Sequence, residues 1–512
     1  MNYMDLFRAT LPETVLEIAA LLVLVADLAF LRNAALKARA AVASLVGVAG
    51  CGAALWIVGS QGSAGLSYGG SALLSAGGYT AVAQSAILIL TALTLLLLID
   101  STFTRHVGEY VAVVLMAAAG GLIISGAQDL IVIFIGLELL SLGLYILTAF
   151  AKASGKSAEA AIKYYLFGGM SAAFLLFGFS YLYGLTGSTN LHEIALATTG
   201  SLAAGASPLL YVALVMMAAG LGFKVAAVPF HLWAPDTYEG APAPGAAFIA
   251  SVSKVASFAL LIGIGTAALH AFEGARAVQE TGFIVTMTAS KYTGMAEPWL
   301  LILLVFAVAS MVVGNLAALV QSSVRRLLAY SAIAHAGYIL LGLAYLSYSP
   351  RSTEAILYYV ITYGLTTVGA FGAVGAVERA AGSDRMDAFL GLHRRNPLLA
   401  GVLLFLFLSL AGIPPLVGFW AKFNLFAAVL TVDRGVVPFA VVALAVAFSA
   451  VSLYYYLQVL KRAYVMPAVD ESPLKASPVT LTVLLITAAA VIVLGCFPAL
   501  LGNWINSFFP AF

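Results

Sequence analysis

Apolar runs of about 20 residues, each long enough to span a bilayer, recur along the whole chain. No other feature limits its fold as strongly. Fourteen such segments lie near residues 11–31, 38–59, 79–100, 107–125, 129–150, 161–185, 208–231, 243–269, 297–319, 325–347, 352–378, 397–428, 435–462 and 477–500. In hydrocarbon, backbone N–H and C=O groups must be paired within the protein, so a span is either a helix or a strand of a closed barrel. Continuous runs of this length are helical. The chain is 62% hydrophobic and 9% charged, where a soluble domain carries about 25% charge. The expected fold is an all-α polytopic membrane protein of about 14 transmembrane helices, forming a single transmembrane domain.

Basic residues set the orientation. With the N-terminus outside, fifteen Lys and Arg fall in cytoplasmic loops, among them Arg32, Arg39, Arg105, Lys156, Arg325, Arg326 and Lys475. Five fall outside: Arg8, Arg276, Lys291, Arg351 and Arg434. That bias places both termini outside the cytoplasm. The first apolar run is preceded by Asp5 and Arg8 and followed by Arg32, Lys37 and Arg39, which is not the pattern of a cleavable leader. The connection 186–207 reads as mixed, with room for one short interfacial helix.

Four of the 24 basic residues remain, and all are lysines inside apolar segments: Lys163, Lys224, Lys254 and Lys422. A charge at a helix centre costs about 2.5–3.5 kcal/mol on insertion scales. Arginine keeps its proton at any depth, whereas a desolvated lysine gives its proton up more readily. A row of such lysines can bind and release protons. Glu138 is the corresponding acid, deep in the fifth segment; Asp129 opens the same segment and reads as interfacial. Lys163 lies only seven residues after Lys156, close to the headgroup level.

The stretch 220–256, GLGFKVAAVPFHLWAPDTYEGAPAPGAAFIASVSKVA, concentrates these features. Pro229 follows Lys224 by five residues and removes a backbone donor inside an apolar run. His231 follows at the segment edge. Lysine beside proline predicts a broken helix lining a polar cavity. The twelfth segment echoes it in reverse, with Pro414 and Pro415 before Lys422, and His335 lies mid-segment between the two regions. Broken helices in corresponding places of two halves point to inverted repeats around a midplane site. The tyrosines at 358–359 and 454–456 read as packing or interfacial belt.

Other chemistries fail on inspection. Gly155-Lys156-Ser157 ends like a phosphate loop, but its first glycine position is Phe150. Gly263, Gly265 and Ala268 match a loose dinucleotide pattern inside a spanning segment with no strand before it. His192-Glu193 lacks the second histidine of a zinc motif, and Cys51 and Cys496 are far apart. No nucleotide, flavin, haem or metal site is expected on this chain.

PFHLWAPDTYEGAPAP at 229–244, with FKVAAV before it and SVSKVASF after it, resembles the antiporter-like subunits of proton-pumping NADH:quinone oxidoreductase, respiratory complex I. The opening LPETVLEIAALLVLVAD and the length look most like the N-type members. The resemblance implies two inverted five-helix units, near 107–269 and 297–462, with broken helices 7 and 12 and a final helix at 477–500. It implies proton-translocating roles for Glu138, Lys163, Lys224, His231, Lys254, His335 and Lys422. It implies a cell inner membrane location, M-type and small K/J-type neighbours, and no cofactor here. NADH, FMN, iron–sulfur clusters and quinone would be handled by other subunits. The family's Pro-Thr-Pro is Pro242-Ala243-Pro244 in this chain, which removes a hydroxyl from that loop. Two alternatives stay open: a subunit of a multi-subunit Na⁺/H⁺ antiporter, and a structural subunit without a working proton path.

Overall fold

The computed structural model describes residues 7–8, 10–60, 73–199, 208–280, 296–346, 350–432, 434–468 and 471–509. Lys291, one of the five basic residues expected outside, lies outside the described residues. Among the described residues the fold is all helix, with three isolated backbone bridges and no strand.

The helices in chain order are α1 (Leu11–Val25), α2 (Leu36–Ser60), α3 (Gly78–Leu98), α4 (Val107–Gly126), α5 (Leu130–Thr148), α6 (Gly155–Thr186), α7 (Leu191–Thr199), α8 (Pro208–Lys224), α9 (Trp233–Gly240) and α10 (Ala243–Glu280). The second half continues with α11 (Ala296–Ala318), α12 (Val324–Ala344), α13 (Pro350–Ala381), α14 (Leu392–Arg395), α15 (Pro397–Ala411), α16 (Val417–Val432), α17 (Val436–Tyr464), α18 (Pro478–Cys496) and α19 (Ala499–Asn506). Eleven of the described helices are long and apolar enough to cross a membrane, while α8, α15 and α16 are apolar but shorter. The architecture is that of an all-α polytopic membrane protein. The mixed connection 186–207 carries the short helix α7.

Local chemistry explains where the helices start. Asp129 caps α5, its carboxylate accepting from Ile131 N at 2.8 Å. It is buried and also takes the Thr189 hydroxyl at 2.5 Å. Asn396 caps α15 through Leu399 N at 3.0 Å, with Pro397 in the first turn.

Two apolar helices stop short. α8 ends at Lys224, and the next residues turn through Ala226, whose φ is +55°, before α9 begins at Trp233. The Trp233 Nε1–H donates to the Phe223 carbonyl at 2.9 Å and ties α9 back to the end of α8. α15 ends at Ala411, Gly412 takes φ +88°, and α16 begins at Val417. Either stop leaves helix-end carbonyls without their usual i+4 partners.

α10 lies at the centre, buried at nearly every position of Ala243–Leu269. It packs on α13, α3 and α4, and α13 in turn packs on α15, α16 and α18. The two central helices nearly touch at Gly375, where an added Cβ would stand 2.6 Å from Ala243 Cβ.

Candidate proton-transfer site

Three of the four intramembrane lysines are buried, and each is held by neutral acceptors. Lys224, the last residue of α8, donates from Nζ to the Ser141 hydroxyl on α5. Ser141 lies three residues beyond Glu138, so both occupy one face of α5. Glu138 is close enough to act on Lys224 electrostatically. Lys254, from the middle of α10, donates to the Val225 carbonyl freed at the end of α8. Lys422, on α16, folds back on the end of α15. It donates to the carbonyls of Leu410 at 3.1 Å and Ala411 at 2.9 Å, and to the Ser449 hydroxyl of α17 at 2.8 Å. No carboxylate among the described residues forms an ion pair with any of the three.

Helix C-termini carry partial negative charge, and that charge favours a cation. Both short helices therefore put their exposed carbonyls where a buried ammonium needs them. Lys254 reaches the stop of α8 from another helix, and Lys422 reaches the stop of α15 from the helix after it. The arrangement holds a proton without a fixed counter-charge.

His335, on α12, is buried beside this second lysine. Its Nδ1 lies 2.9 Å from the Tyr359 hydroxyl and its Nε2 3.5 Å from the Tyr456 hydroxyl. Tyr456 also hydrogen-bonds Ser331. The Lys422 ammonium lies 5.5 Å from the centre of the Tyr338 ring, and Tyr338 OH accepts from Asn315 Nδ2 at 3.1 Å.

Lys163 sits apart from this set. Its side chain is 41% exposed and pairs with Glu159 at 2.6 Å and Asp236 at 2.8 Å. Arg326 joins the same cluster through Asp236 at 2.6 Å and Glu239 at 3.1 Å, and Lys156 pairs with Glu239 at 2.9 Å. Burial pushes the Asp236 and Glu239 carboxyls up, but the hydrogen bonds from these lysines and Arg326 hold both below the usual carboxylate range. His231 is buried in the turn between α8 and α9, with no hydrogen-bond partner for Nδ1 among the described residues.

A protein-family model described as "NADH:quinone oxidoreductase/Mrp antiporter, TM" matches residues 127–273 and 266–449, the stretch that holds all these residues except Tyr456. NADH-quinone oxidoreductase subunit N 2 of Acidobacterium capsulatum is 46% identical over 99% of this chain and 99% of its own length. The chain belongs to the NADH-quinone oxidoreductase subunit N family.

Subunit N 1 of Roseiflexus castenholzii is 40% identical over 86% of this chain and 81% of its own length. Among solved structures, a chain of respiratory complex I from Thermus thermophilus with bound aureothin aligns at a TM-score of 0.75. It is 30% identical, over 97% of this chain and 100% of that chain. A chain of the Mrp complex from a Dietzia species aligns at 0.77, covering 98% of this chain and 51% of that one. At 22% identity it shows a shared fold only.

As a subunit N family member the chain is a multi-pass membrane protein, and its sequence pointed to most of this site. The structure brings Lys224 against Ser141 on the Glu138 face of α5, Lys254 against the end of α8, and His335 beside Lys422. It does not bring Lys163 or His231 into hydrogen-bond contact with the three buried lysines. Sequence reasoning missed Ser141, Ser449 and the tyrosine partners of His335. Tyr454 is exposed, as a belt residue would be, but Tyr359 and Tyr456 face the histidine. Tyr359 and Tyr456 lie 24 and 121 residues from His335, on other helices, so no spacing in the sequence marks them.

Proposed function

We propose that this chain is the proton-translocating subunit N of an NADH:quinone oxidoreductase, with the electron chemistry of NADH, FMN, iron–sulfur clusters and quinone carried by other subunits. The observation that carries this reading is the holding of Lys224, Lys254 and Lys422 by hydroxyls and helix-end carbonyls, with no ion-paired carboxylate among the described residues. A buried cation with a carboxylate partner is locked, because removing either charge strands the other. A buried ammonium on neutral acceptors responds to any nearby change in charge.

The mechanism follows from that response. Glu138 favours the ammonium form of Lys224. When charge movement elsewhere in the complex draws Glu138 to another partner, Lys224 loses that support and releases its proton. Lys254 takes the proton up at the carbonyl of Val225, and His335 passes it to Lys422. Lys163 works at the loop-side surface with Asp236, and His231 lines the turn after Lys224. The two inverted units, near 107–269 and 297–462, and the final helix at 477–500 give fourteen crossings with both termini outside the cytoplasm. The chain belongs in the cell inner membrane beside an M-type subunit and small K/J-type subunits.

The test is gentle purification of the chain from its native membrane, followed by assay of inhibitor-sensitive NADH:quinone activity. Activity that travels with the chain in a large assembly supports the reading. A small assembly with sodium-driven proton flux and no NADH oxidation replaces it with the Na⁺/H⁺ antiporter alternative. Assembly without any coupled flux leaves the structural alternative.

A further inference from the structure

α11 has no part in the proton path proposed above, yet it carries a polar side chain deep in the bundle. Asn315 is fully buried, and its amide makes three hydrogen bonds. Nδ2 donates to the Met311 carbonyl of its own helix at 2.8 Å and to the Tyr338 hydroxyl of α12 at 3.1 Å. Oδ1 accepts from the Tyr455 hydroxyl of α17 at 3.2 Å. An amide left unpaired in an apolar interior is costly, so partners on three helices fix which way this one faces. Its footing is rigid as well. An added Cβ at Gly314 would stand 2.6 Å from Ala334 N of α12, and one at Gly337 would stand 2.7 Å from Met311 N of α11. The two backbones meet within about one turn of Asn315, the close approach that small residues allow between membrane helices.

Both tyrosines lead to the second buried lysine. The Lys422 ammonium lies 5.5 Å from the centre of the Tyr338 ring, a distance at which an aromatic ring attracts a cation. The same ring stands edge-on to the His335 ring at 5.9 Å and to Phe426 of α16 at 6.0 Å. On the other side, the Tyr455 and Tyr456 rings pack with their centres 4.6 Å apart, and the Tyr456 hydroxyl lies 3.5 Å from His335 Nε2. Among the described residues Asn315 hydrogen-bonds neither Lys422 nor His335, yet it holds a neighbour of each.

We propose that Asn315 is a positioning residue for Lys422: its amide holds the Tyr338 ring against the ammonium and the Tyr455–Tyr456 pair against His335. The inference rests on the proton-translocating reading above and deepens it. Asn315 itself carries no proton in transit. The ring adds a further neutral attraction to those of the α15 carbonyls and Ser449, and so steadies the charged form of Lys422. With the tether cut, the ring is free to turn and Lys422 holds its proton less well. The other groups around this lysine are His335 from α12, Ser449 from α17 and the carbonyls of Leu410 and Ala411. α13 brings the Tyr359 hydroxyl to His335, and α18 carries no charged residue.

The experiment uses the whole complex, purified and reconstituted into liposomes, with proton movement measured across a range of pH. Asn315→Leu removes the amide and keeps a side chain of similar size. It is expected to lower proton movement by about threefold to tenfold, the size of a lost hydrogen bond. It is also expected to move the alkaline limb of the pumping profile by about half a pH unit toward lower pH, the size of a lost cation–ring contact. Tyr338→Phe keeps the ring and cuts only its tether, and should reproduce both effects. Added to Asn315→Leu it should cost nothing further, because the two act through one contact. Leu303→Ala, a buried packing change on the same helix, should lower the heat-inactivation midpoint and leave the limb in place. Assembly is checked by co-purification with the complex, and Tyr338→Phe carries the test where Asn315→Leu fails to assemble. An unmoved limb in an assembled variant, or losses that add in full, overturns the positioning role. Lys422→Met is run in parallel. If it lowers pumping while the Asn315 and Tyr338 variants leave rate and limb unchanged, the positioning role fails and the proton-translocating reading stands. If Lys422→Met pumps at the wild-type rate, that reading fails as well.

Discussion

Lys254 donates its ammonium hydrogen bond to the Val225 carbonyl, the first residue beyond the helix that ends in Lys224. Two lysines 30 positions apart in the sequence are thereby tied to one helix end. The stop in α8 both places the first lysine and supplies the acceptor for the second. The same relationship recurs in the other half, where Lys422 caps the end of α15.

The serine under Lys224 should matter more than the serine under Lys422. Among the described residues Ser141 is the one hydrogen-bond acceptor of Lys224, whereas Lys422 keeps two carbonyls if Ser449 is lost. A hydrogen bond to a charged group is worth about 1.5–3 kcal/mol. Ser141→Ala is expected to lower proton pumping by about tenfold or more on that scale, and Ser449→Ala by less. Proton movement by the reconstituted complex compares them, and the reverse order would count against the holding role of these acceptors.

Gly412 is placed to be intolerant. Its φ is +88°, and an added Cβ would stand 3.0 Å from Lys422 Cδ and 3.2 Å from its Nζ. A left-handed conformation costs a non-glycine residue about 1–2 kcal/mol. Gly412→Ala should lower the heat-inactivation midpoint and reduce pumping together. Gly401→Ala, with open space around the new Cβ, should do neither. Equal behaviour of the two variants would contradict the account of this helix end.

The first hairpin is locked by a pair that sequence reading passed over. Arg39 Nε and Nη2 each lie 2.7 Å from a carboxylate oxygen of Asp27, which is 1% exposed and also accepts from Gly108 N at 3.2 Å. An added Cβ at Gly108 would stand 2.6 Å from Asp27 Oδ2. Gly108→Ala is expected to destabilise the assembled chain by about 3 kcal/mol, as when a buried pair is broken. Arg39→Lys should cost less, losing one arm of the fork. Thermal inactivation series on the two variants check the order.

The lysines were legible because charge inside a 20-residue apolar run stands out in any reading of the sequence. Pro229 and Pro414 stand out differently, as prolines inside apolar runs that follow the ends of α8 and α15. What each lysine touches was not legible. Ser141 lies 83 residues from Lys224, and serines are common on apolar helices for close packing. Lys163 shows the opposite limit. It sits in an apolar run like the others, yet its position about two turns into α6 brings it to the surface beside Asp236.

The Asp236–Glu239 cluster gives a pH signature. Both carboxyls are held below their ordinary values in the folded chain, so the unfolded chain takes protons first as pH falls. Their contribution to stability is complete above the ordinary carboxylate range, about pH 4, and is lost as pH falls through the lowered folded values. Asp236→Asn with Glu239→Gln should therefore lower the heat-inactivation midpoint at pH 7 and flatten its acid decline. A midpoint equal to wild type at pH 7 would show that the cluster does not stabilise the chain.

Lys224→Met tests the central claim most directly. The variant removes the ammonium that Ser141 holds within reach of Glu138 and leaves a chain of similar length. In the reconstituted complex, proton movement and coupled quinone reduction should both fall, while NADH oxidation by an artificial acceptor stays at the wild-type rate. Proton movement at the wild-type rate, with the variant shown to be assembled, would mean that Lys224 is not the switch.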